Sequence, residues 1–179
     1  MLNVSPSIVR LPTLADYQEL WRLLLQDHNE SGIFQADYVK VDWLLMRLLQ
    51  PHMIPPNDTG TRGTIGVIGP ERALEAIVVL VVSAPWYSSE LCLNDLVAYV
   101  DPNYRHSGHA KALIEWMKGQ SAATGISLIS GVMSRERTEA KCRLFQRQMP
   151  ERIGSYFLFD PKAVVLTSSG TGLNGYKAA

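Results

Sequence analysis

Cysteine is scarce in this sequence, and neither sign of charge is in excess. The two cysteines, Cys92 and Cys142, lie far apart and have the spacing of neither a zinc site nor a redox pair. The sequence has 17 lysine and arginine residues and 17 aspartate and glutamate residues. The net charge therefore does not indicate nucleic acid or an anionic membrane as a partner. We therefore expect free thiols in a reducing cytoplasm, and no nucleic-acid or membrane partner.

Long apolar runs are missing as well. The longest, Ala76–Val82, is far shorter than the roughly 20 residues that a membrane-spanning helix needs. Polar and proline residues at Ser5–Ser7 interrupt the start of the chain, so we expect no secretory signal peptide. Because no internal repeat divides the sequence, the simplest organisation is one domain over residues 1–168 with a flexible tail over 169–179. The oligomeric state stays open, a homodimer included.

What the sequence does contain is a strand, a turn and a helix between Leu91 and Trp116. The nearly continuous apolar run that ends at Val100 is typical of a strand covered on both faces. Asp101–Asn103 ends this strand, because proline cannot donate to a strand ladder. After Gly108 the apolar residues recur at helical spacing, at Ala110, Leu113, Ile114 and Met117.

The turn between this strand and helix has the features of a pyrophosphate site. The first turn of a helix carries backbone N–H groups without intrahelical partners and a partial positive charge, and a phosphate group satisfies both. Gly108 lets a ligand approach the backbone closely, while Arg105 and Lys111 add cationic side chains. No carboxylate or cysteine joins His106 and His109 at ligand spacing, so we expect no metal here.

Periodicity and breaker residues place the other elements. The predicted order is β-α-α-β-β-β-α-β-α-β-β in an α/β domain. Strands are predicted at 8–11, 64–68, 74–82, 91–100, 126–133, 156–159 and 164–167, and helices at 17–28, 38–49, 109–124 and 138–150. The first helix should end near His28 because Asn29–Gly32 is a breaker cluster, which puts Glu30 in a loop.

The turn carries a recognisable motif. Arg105, Gly108 and Ala110 form the pattern Arg-x-x-Gly-x-Ala, and Val100 and Pro102 precede it. This arrangement resembles the acetyl-CoA-binding motif of the GNAT superfamily of N-acetyltransferases, whose usual form is Arg/Gln-x-x-Gly-x-Gly/Ala. The resemblance implies acetyl-CoA as co-substrate, and transfer of its acetyl group to a primary amine by direct attack.

The predicted order of elements also resembles the GNAT fold, over residues 7–168. The resemblance implies a GNAT-like mixed β-sheet flanked by helices, in which the fourth and fifth strands, 91–100 and 126–133, splay apart to admit the pantetheine arm. It further implies that backbone groups of the fourth strand contact acetyl-CoA and that amides of the turn hold its pyrophosphate. The binding positions implied in this way are Ala98, Tyr99, Val100, Arg105, His106, Ser107, Gly108, His109, Ala110 and Lys111.

The helix after the fifth strand departs from the family's pattern. GNAT proteins often carry a tyrosine there as the acid for the leaving thiolate, in a pattern like Asn-x-x-Ala-x-x-Leu-Tyr. Here Thr138, Lys141 and Phe145 stand at the asparagine, alanine and tyrosine positions of this part of the acetyl-CoA site. Phenylalanine cannot donate a proton, so either another group or water protonates the thiolate, or the protein does not catalyse transfer.

Two carboxylates are candidates for contact with the acceptor amine. Asp95 lies in the fourth strand, where some relatives place a catalytic base; a polar residue satisfied at a strand end is the alternative. Glu30 lies where family members contact their substrate, and a solvated loop carboxylate is its alternative. The identity of the acceptor, small molecule or protein, is not specified by the sequence.

Two other functions stay open at this point. A catalytically weak or inactive GNAT-fold protein, serving as a CoA-binding or protein-interaction module, is favoured by Phe145. An unrelated α/β nucleotide-binding domain is disfavoured, because no acidic ribose-binding residue follows the turn at the usual distance and no Walker lysine is present.

Overall fold

The strands of the computed structural model form one mixed sheet. The structure describes residues 6–31, 34–53, 60–134, 136–149 and 151–154. Within these ranges the sheet has four strands in the order β1-β2-β3-β4, which are Arg62–Ile68, Ala76–Ser83, Cys92–Val100 and Ser127–Ile129. β2 is antiparallel to both β1 and β3, and β4 runs parallel to β3.

The described helices are α1 (Tyr17–Ser31), α2 (Tyr38–Leu49), α3 (His109–Thr124) and α4 (Thr138–Gln148). Asp16 Oδ2 accepts the Thr13 N–H at 2.9 Å in the turn before α1, which is a capping contact. α3 ends at Gly125, whose φ of 69° lies in the left-handed region that favours glycine. No helix in the described ranges is long and apolar enough to cross a bilayer.

Side chains alternate along β2 and separate two apolar clusters. Ile77 and Val79 pack on one face with residues of α1 and α2, while Val78 and Leu80 pack on the other face with residues of α3. The helical members of these clusters are Leu20, Leu23, Leu45 and Leu48 on the first face, and Leu113, Ile114 and Met117 on the second. The sheet is therefore the middle of three layers, and β2 is buried on both faces.

β3 and β4 separate soon after they meet. Their pairing covers Cys92–Asn94 opposite Ser127–Ile129. The next residue of β3, Asp95, accepts hydrogen bonds from Ser130 Oγ at 2.7 Å and from the Gly131 N–H at 3.1 Å, just past the end of β4. From there to its end, β3 has no strand partner on this side among the described residues. This agrees with the predicted splaying of the two strands.

β3 also contains a bulge beside this gap. Asp95 and Val97 pair with consecutive residues of β2, Leu80 and Val79, so that Leu96 has no partner of its own. Leu96 is 52% exposed and borders the cleft. The bulge explains why an apolar residue of a strand that we predicted to be covered on both faces is open to solvent.

The prediction of a first strand at 8–11 is wrong within the described residues. This segment makes a single bridge, between Arg10 and Val67, with backbone hydrogen bonds of 2.9 Å in both directions. The Arg10 side chain binds Asp16 at 2.8 Å and the Gly69 C=O at 3.0 Å. Because these contacts draw the chain into the capped turn before α1, pairing with β1 does not continue.

Two other elements end three or more residues away from their predicted ends. α1 continues to Ser31, so Glu30 lies in its last turn rather than in a loop, because contacts of Glu30 with other elements outweigh the local breaker residues. β4 is shorter than predicted, because Asp95 takes the Ser130 and Gly131 donors. The segments predicted as strands at 156–159 and 164–167, and the tail 169–179, lie outside the described residues.

Candidate active site

The corner between β3 and α3 is fixed by Asp101. Its buried carboxylate accepts hydrogen bonds from the Arg22 guanidinium of α1 at 2.6 Å and from the Asn103 N–H at 3.0 Å. The Asp101 N–H donates to the Glu75 C=O, just before β2, at 2.9 Å. Because Asp101 joins the end of β3 to α1 and to the segment before β2, the turn that follows has a fixed position relative to the sheet.

Backbone amides at the start of α3 are available to a ligand. Gly108 is the N-cap residue, and Ser107 Oγ accepts the His109 N–H at 3.2 Å. The N–H groups of Gly108, Ala110 and Lys111 donate to no acceptor in the described part of the chain. They lie where the helix dipole adds partial positive charge, so the turn can bind a phosphate group.

The fold itself does not require glycine at position 108. Its φ of −79° is accessible to any residue, and a Cβ atom there would come within 3.3 Å of only the Ser7 hydroxyl. The missing side chain therefore serves to leave the neighbouring amides open. This is what close approach of a pyrophosphate needs.

The two histidines of the turn do not converge. His109 is fully buried, with Nδ1 at 2.9 Å from Ser7 Oγ and Nε2 at 2.6 Å from Glu75 Oε2, so its side chain supports the turn from below. His106 and Lys111 are exposed on the outside of the turn. Among the described residues, no group of three or more His, Cys, Asp or Glu side chains could hold a metal ion.

Arg105 turns toward the protein and joins a cluster with Glu30 and Tyr99. Its guanidinium forms an ion pair with Glu30, donates to the Val100 C=O at 3.3 Å, and lies 5.6 Å from the centre of the Tyr99 ring. The Tyr99 hydroxyl donates to Glu30 Oε1 at 2.6 Å. Burial alone would raise the pKa of Glu30, but the hydrogen bonds from Tyr99 and Arg105 outweigh it and lower that pKa. The cluster ties α1 to the end of β3.

Two cavities meet where β3 faces α4. The smaller, of about 220 Å³, extends from Ala110 in the first turn of α3 along Ala98–Val100. The larger, of about 580 Å³, lies between α1, α2 and the gap between β3 and β4. Ala98, Lys141 and Phe145 line both cavities, and we call these three residues the junction.

The larger cavity holds two carboxylates, Asp27 and Asp95. Burial raises the pKa of Asp95, although Ser130 and Gly131 donate hydrogen bonds to it. Burial also raises the pKa of Asp27, and the charge of Lys141 opposes that change. Both groups therefore lie in a medium that disfavours their charged forms.

Lys141 carries the cationic group at the junction. Its Nζ donates to Ser134 Oγ at 2.8 Å and lies 3.5 Å from Ser31 Oγ, while these two hydroxyls are 3.0 Å apart. Phe145 follows one helical turn later on α4, which explains why both residues border the same space. Thr138 Oγ1 donates to the Ser134 C=O at 2.6 Å and closes the first turn of α4.

The structure brings most of the predicted residues to one cleft. Ala98–Val100, Arg105 and Ala110 line the smaller cavity with Phe145, Asp95 lines the larger one, and Glu30 lines the smaller one rather than the larger. Their roles remain predictions. Sequence reasoning missed Asp27 and Ser31, although the helical stripe of Leu20 and Leu24 continues through both positions.

Comparison with known proteins gives a likeness of fold. No family model matches the chain, and no curated protein sequence matches it. AAC(6')-Iy, in complex with the bisubstrate analogue CoA-S-monomethyl-acetylneamine, is 13% identical with a TM-score of 0.61, over 86% of this chain and 96% of that one. A ribosomal-protein-alanine N-acetyltransferase from Brucella melitensis biovar Abortus 2308 is 17% identical with a TM-score of 0.60, again over 86% and 96%.

A third structure has a different kind of name. A transcriptional regulator from Bacillus halodurans C-125 is 14% identical with a TM-score of 0.60, over 85% of this chain and 99% of that one. The chain thus has the GNAT fold, which confirms the resemblance predicted from the sequence. At these identities the likeness establishes the fold alone, so the activity has to be argued from the site.

Proposed function

We propose that the protein transfers an acetyl group from acetyl-CoA to a primary amine by direct attack. The observation that carries this proposal is that open amides at the start of α3 lie beside Ala110, which lines the smaller cavity, and that this cavity shares the junction residues with the larger one. A long donor with a phosphate group at one end and a reactive group at the other fits such a path. The acceptor enters from the larger cavity.

Each part of the path has a distinct task. The amides of the turn bind the pyrophosphate, and the exposed Lys111 adds positive charge. The part of β3 from Ala98 to Val100 faces the gap left by β4 and supplies backbone groups to an extended pantetheine arm. Acetyl-CoA supplies an activated thioester. With its pyrophosphate at the turn and its pantetheine arm along β3, the thioester carbonyl lies at the junction.

The remaining chemistry concerns protons. The amine must be neutral to attack, and Asp95 or water in the larger cavity takes its proton. No tyrosine stands on α4 to protonate the departing thiolate. The Lys141 ammonium at the junction stabilises that negative charge instead, and a thiolate is already a fair leaving group.

A second function is favoured by one observation, the phenylalanine at position 145. Phe145 offers no proton at the junction, as in a GNAT-fold protein that binds CoA and serves as an interaction module without efficient turnover. Acetyl-CoA binding alone does not separate the two functions. Release of CoA thiol in the presence of a panel of primary amines does.

Calorimetric titration with acetyl-CoA tests whether the turn at the start of α3 binds the pyrophosphate. We expect micromolar binding by the wild type and a loss of tenfold or more, of about 1.4 kcal/mol, in Gly108→Glu, because the new carboxylate crowds and repels the pyrophosphate. The matched control is Gly119→Glu on the same helix, where a Cβ atom meets nothing within 4 Å. Absence of binding by the wild type, or equal loss in both variants, would overturn the proposal.

A further inference from the structure

The carboxylates around the cleft differ in what they bind. Glu30 accepts a hydrogen bond from the Tyr99 hydroxyl and forms an ion pair with Arg105. Asp95 accepts hydrogen bonds from the Ser130 hydroxyl and the Gly131 N–H. Both carboxylates therefore already have hydrogen-bond partners within the fold. A positively charged substrate group needs a carboxylate that is still open.

Asp27 is that carboxylate. It lies on α1, is half-buried and lines the larger cavity, and no described residue donates a hydrogen bond to it or forms an ion pair with it. The charged groups that act on it through space are Lys141, Glu30, His28 and Arg105. Lys141, whose effect is the largest of these, is itself bound to Ser134. A partly buried carboxylate without a hydrogen-bond donor or a counter-ion destabilises the folded state, and a cationic ligand that pairs with it removes this cost.

The rest of the larger cavity is largely apolar. Trp21 and Tyr38 form one wall with their rings 6.0 Å apart, and the bulge residue Leu96 lies on the β3 side. Further apolar lining residues are Leu24, Leu25, Val41, Val97, Ile129 and Met133. A volume of about 580 Å³ holds an aryl or alkyl body with room to spare.

Taken together, these features lead us to infer that Asp27 binds the ammonium group of the acceptor, and that the acceptor is a hydrophobic primary amine. The inference rests on the proposed function, because it assigns the larger cavity to the acceptor. Asp27 lines the same cavity as the junction residues Lys141 and Phe145, so an amine at Asp27 shares that space with the proposed thioester. A polyamine would need several open carboxylates, and the described lining offers only Asp27 and the engaged Asp95.

Calorimetric titration with 2-phenylethylamine, in saturating CoA and without it, tests the inference. We expect binding by the wild type and a loss on the order of tenfold or more in Asp27→Asn, which keeps the shape of the side chain and removes its charge. Glu115→Gln, at an exposed carboxylate of α3, is the matched control and should bind as the wild type does. The neutral analogue 2-phenylethanol, which has the same body without the ammonium, should bind far more weakly.

A second variant tests the apolar part of the site. Tyr38→Ser removes one wall at an exposed position, where the fold tolerates the change. We expect a larger loss of affinity for 2-phenylethylamine than for ethylamine. Equal losses for the two amines would overturn the assignment of a hydrophobic body.

The outcomes separate this inference from the proposed function. Binding of acetyl-CoA without amine binding, unchanged amine affinity in Asp27→Asn, or preference for spermidine over 2-phenylethylamine would overturn the inference and leave acetyl transfer standing. Asp27-dependent amine binding without any acetyl-CoA binding would overturn the proposed function and leave an amine site. Failure of both ligands to bind would overturn both.

Discussion

Replacing Glu30 by glutamine tests whether the cluster of Glu30, Tyr99 and Arg105 holds the cleft together. The Glu30 and Arg105 side chains are 19% and 22% exposed, and Tyr99 is buried at 3% exposure. Glutamine keeps an oxygen that can accept the Tyr99 hydroxyl, but it removes the charge that Arg105 neutralises. Because hydrogen bonds to charged groups contribute about 1.5–3 kcal/mol and one acceptor survives, we expect unfolding to become easier by about 1–2 kcal/mol.

The matched control for this change is Glu115→Gln. Glu115 pairs with Lys118 at 3.0 Å, but the side chains are 48% and 43% exposed, so the pair contributes no more than about 0.5 kcal/mol. The assay is urea unfolding at neutral pH. With a slope of about 2 kcal/mol per molar, Glu30→Gln should lower the midpoint by about 0.5–1 M, and the control should hardly change it.

A result in which both variants unfold alike would refute the structural role of Glu30. Its carboxylate would then be free for the substrate contact that the sequence analysis predicts. Adding Tyr99→Phe sharpens the test, because a double-mutant cycle measures the coupling between the two side chains. We expect the combined loss to be smaller than the sum of the single losses, since Glu30→Gln weakens the hydrogen bond that Tyr99→Phe removes.

Two further predictions concern the cavities. Phe145→Tyr should raise the rate of thiol release by up to about a hundredfold without changing acetyl-CoA affinity, because it restores a proton donor at the junction; an unchanged rate would mean that Lys141 or water already meets this need. Asp27→Asn should raise the melting temperature at pH 7, because burial raises the folded-state pKa of Asp27 and its charge opposes folding there. This gain should vanish below the unfolded-state pKa of about 3.9, where aspartate is neutral in both states, and a variant that melts lower at pH 7 would contradict the argument.

β3, the turn that follows it and α3 could be predicted from the sequence because local residues determine where each of them begins and ends. Pro102 cannot donate to a strand ladder, and the helical spacing of apolar residues begins just after Gly108, so the end of β3 and the start of α3 depend on neighbouring residues alone. The same holds for Gly125, whose left-handed conformation ends α3. Sequence signals that act within a few residues predict the ends of an element whatever distant residues pack against it.

The orientation of Arg105 could not be predicted in this way. Its partner Glu30 is 75 positions away, in a segment that looks like a helix breaker until the contacts with Tyr99 and Arg105 are formed. The open carboxylate of Asp27 raises a similar difficulty. Helical spacing places it on the face of Leu24, but only the arrangement of α1 against α4 shows that no residue in the described part of the chain donates to it.

The position of Glu30 on α1 links the two halves of the cleft. Glu30 fixes the last turn of α1 to the end of β3, where the donor path passes, and Asp27 lies three residues earlier on the same helix. Anchoring Glu30 therefore holds the part of α1 that carries Asp27 against the end of β3. Because Arg105 is engaged in this anchor, the phosphate contacts that we propose come from backbone amides and Lys111 rather than from the arginine of the motif. In the proposed reaction such a cleft would hold both reactants in place before they meet, which is where proximity contributes most to the rate.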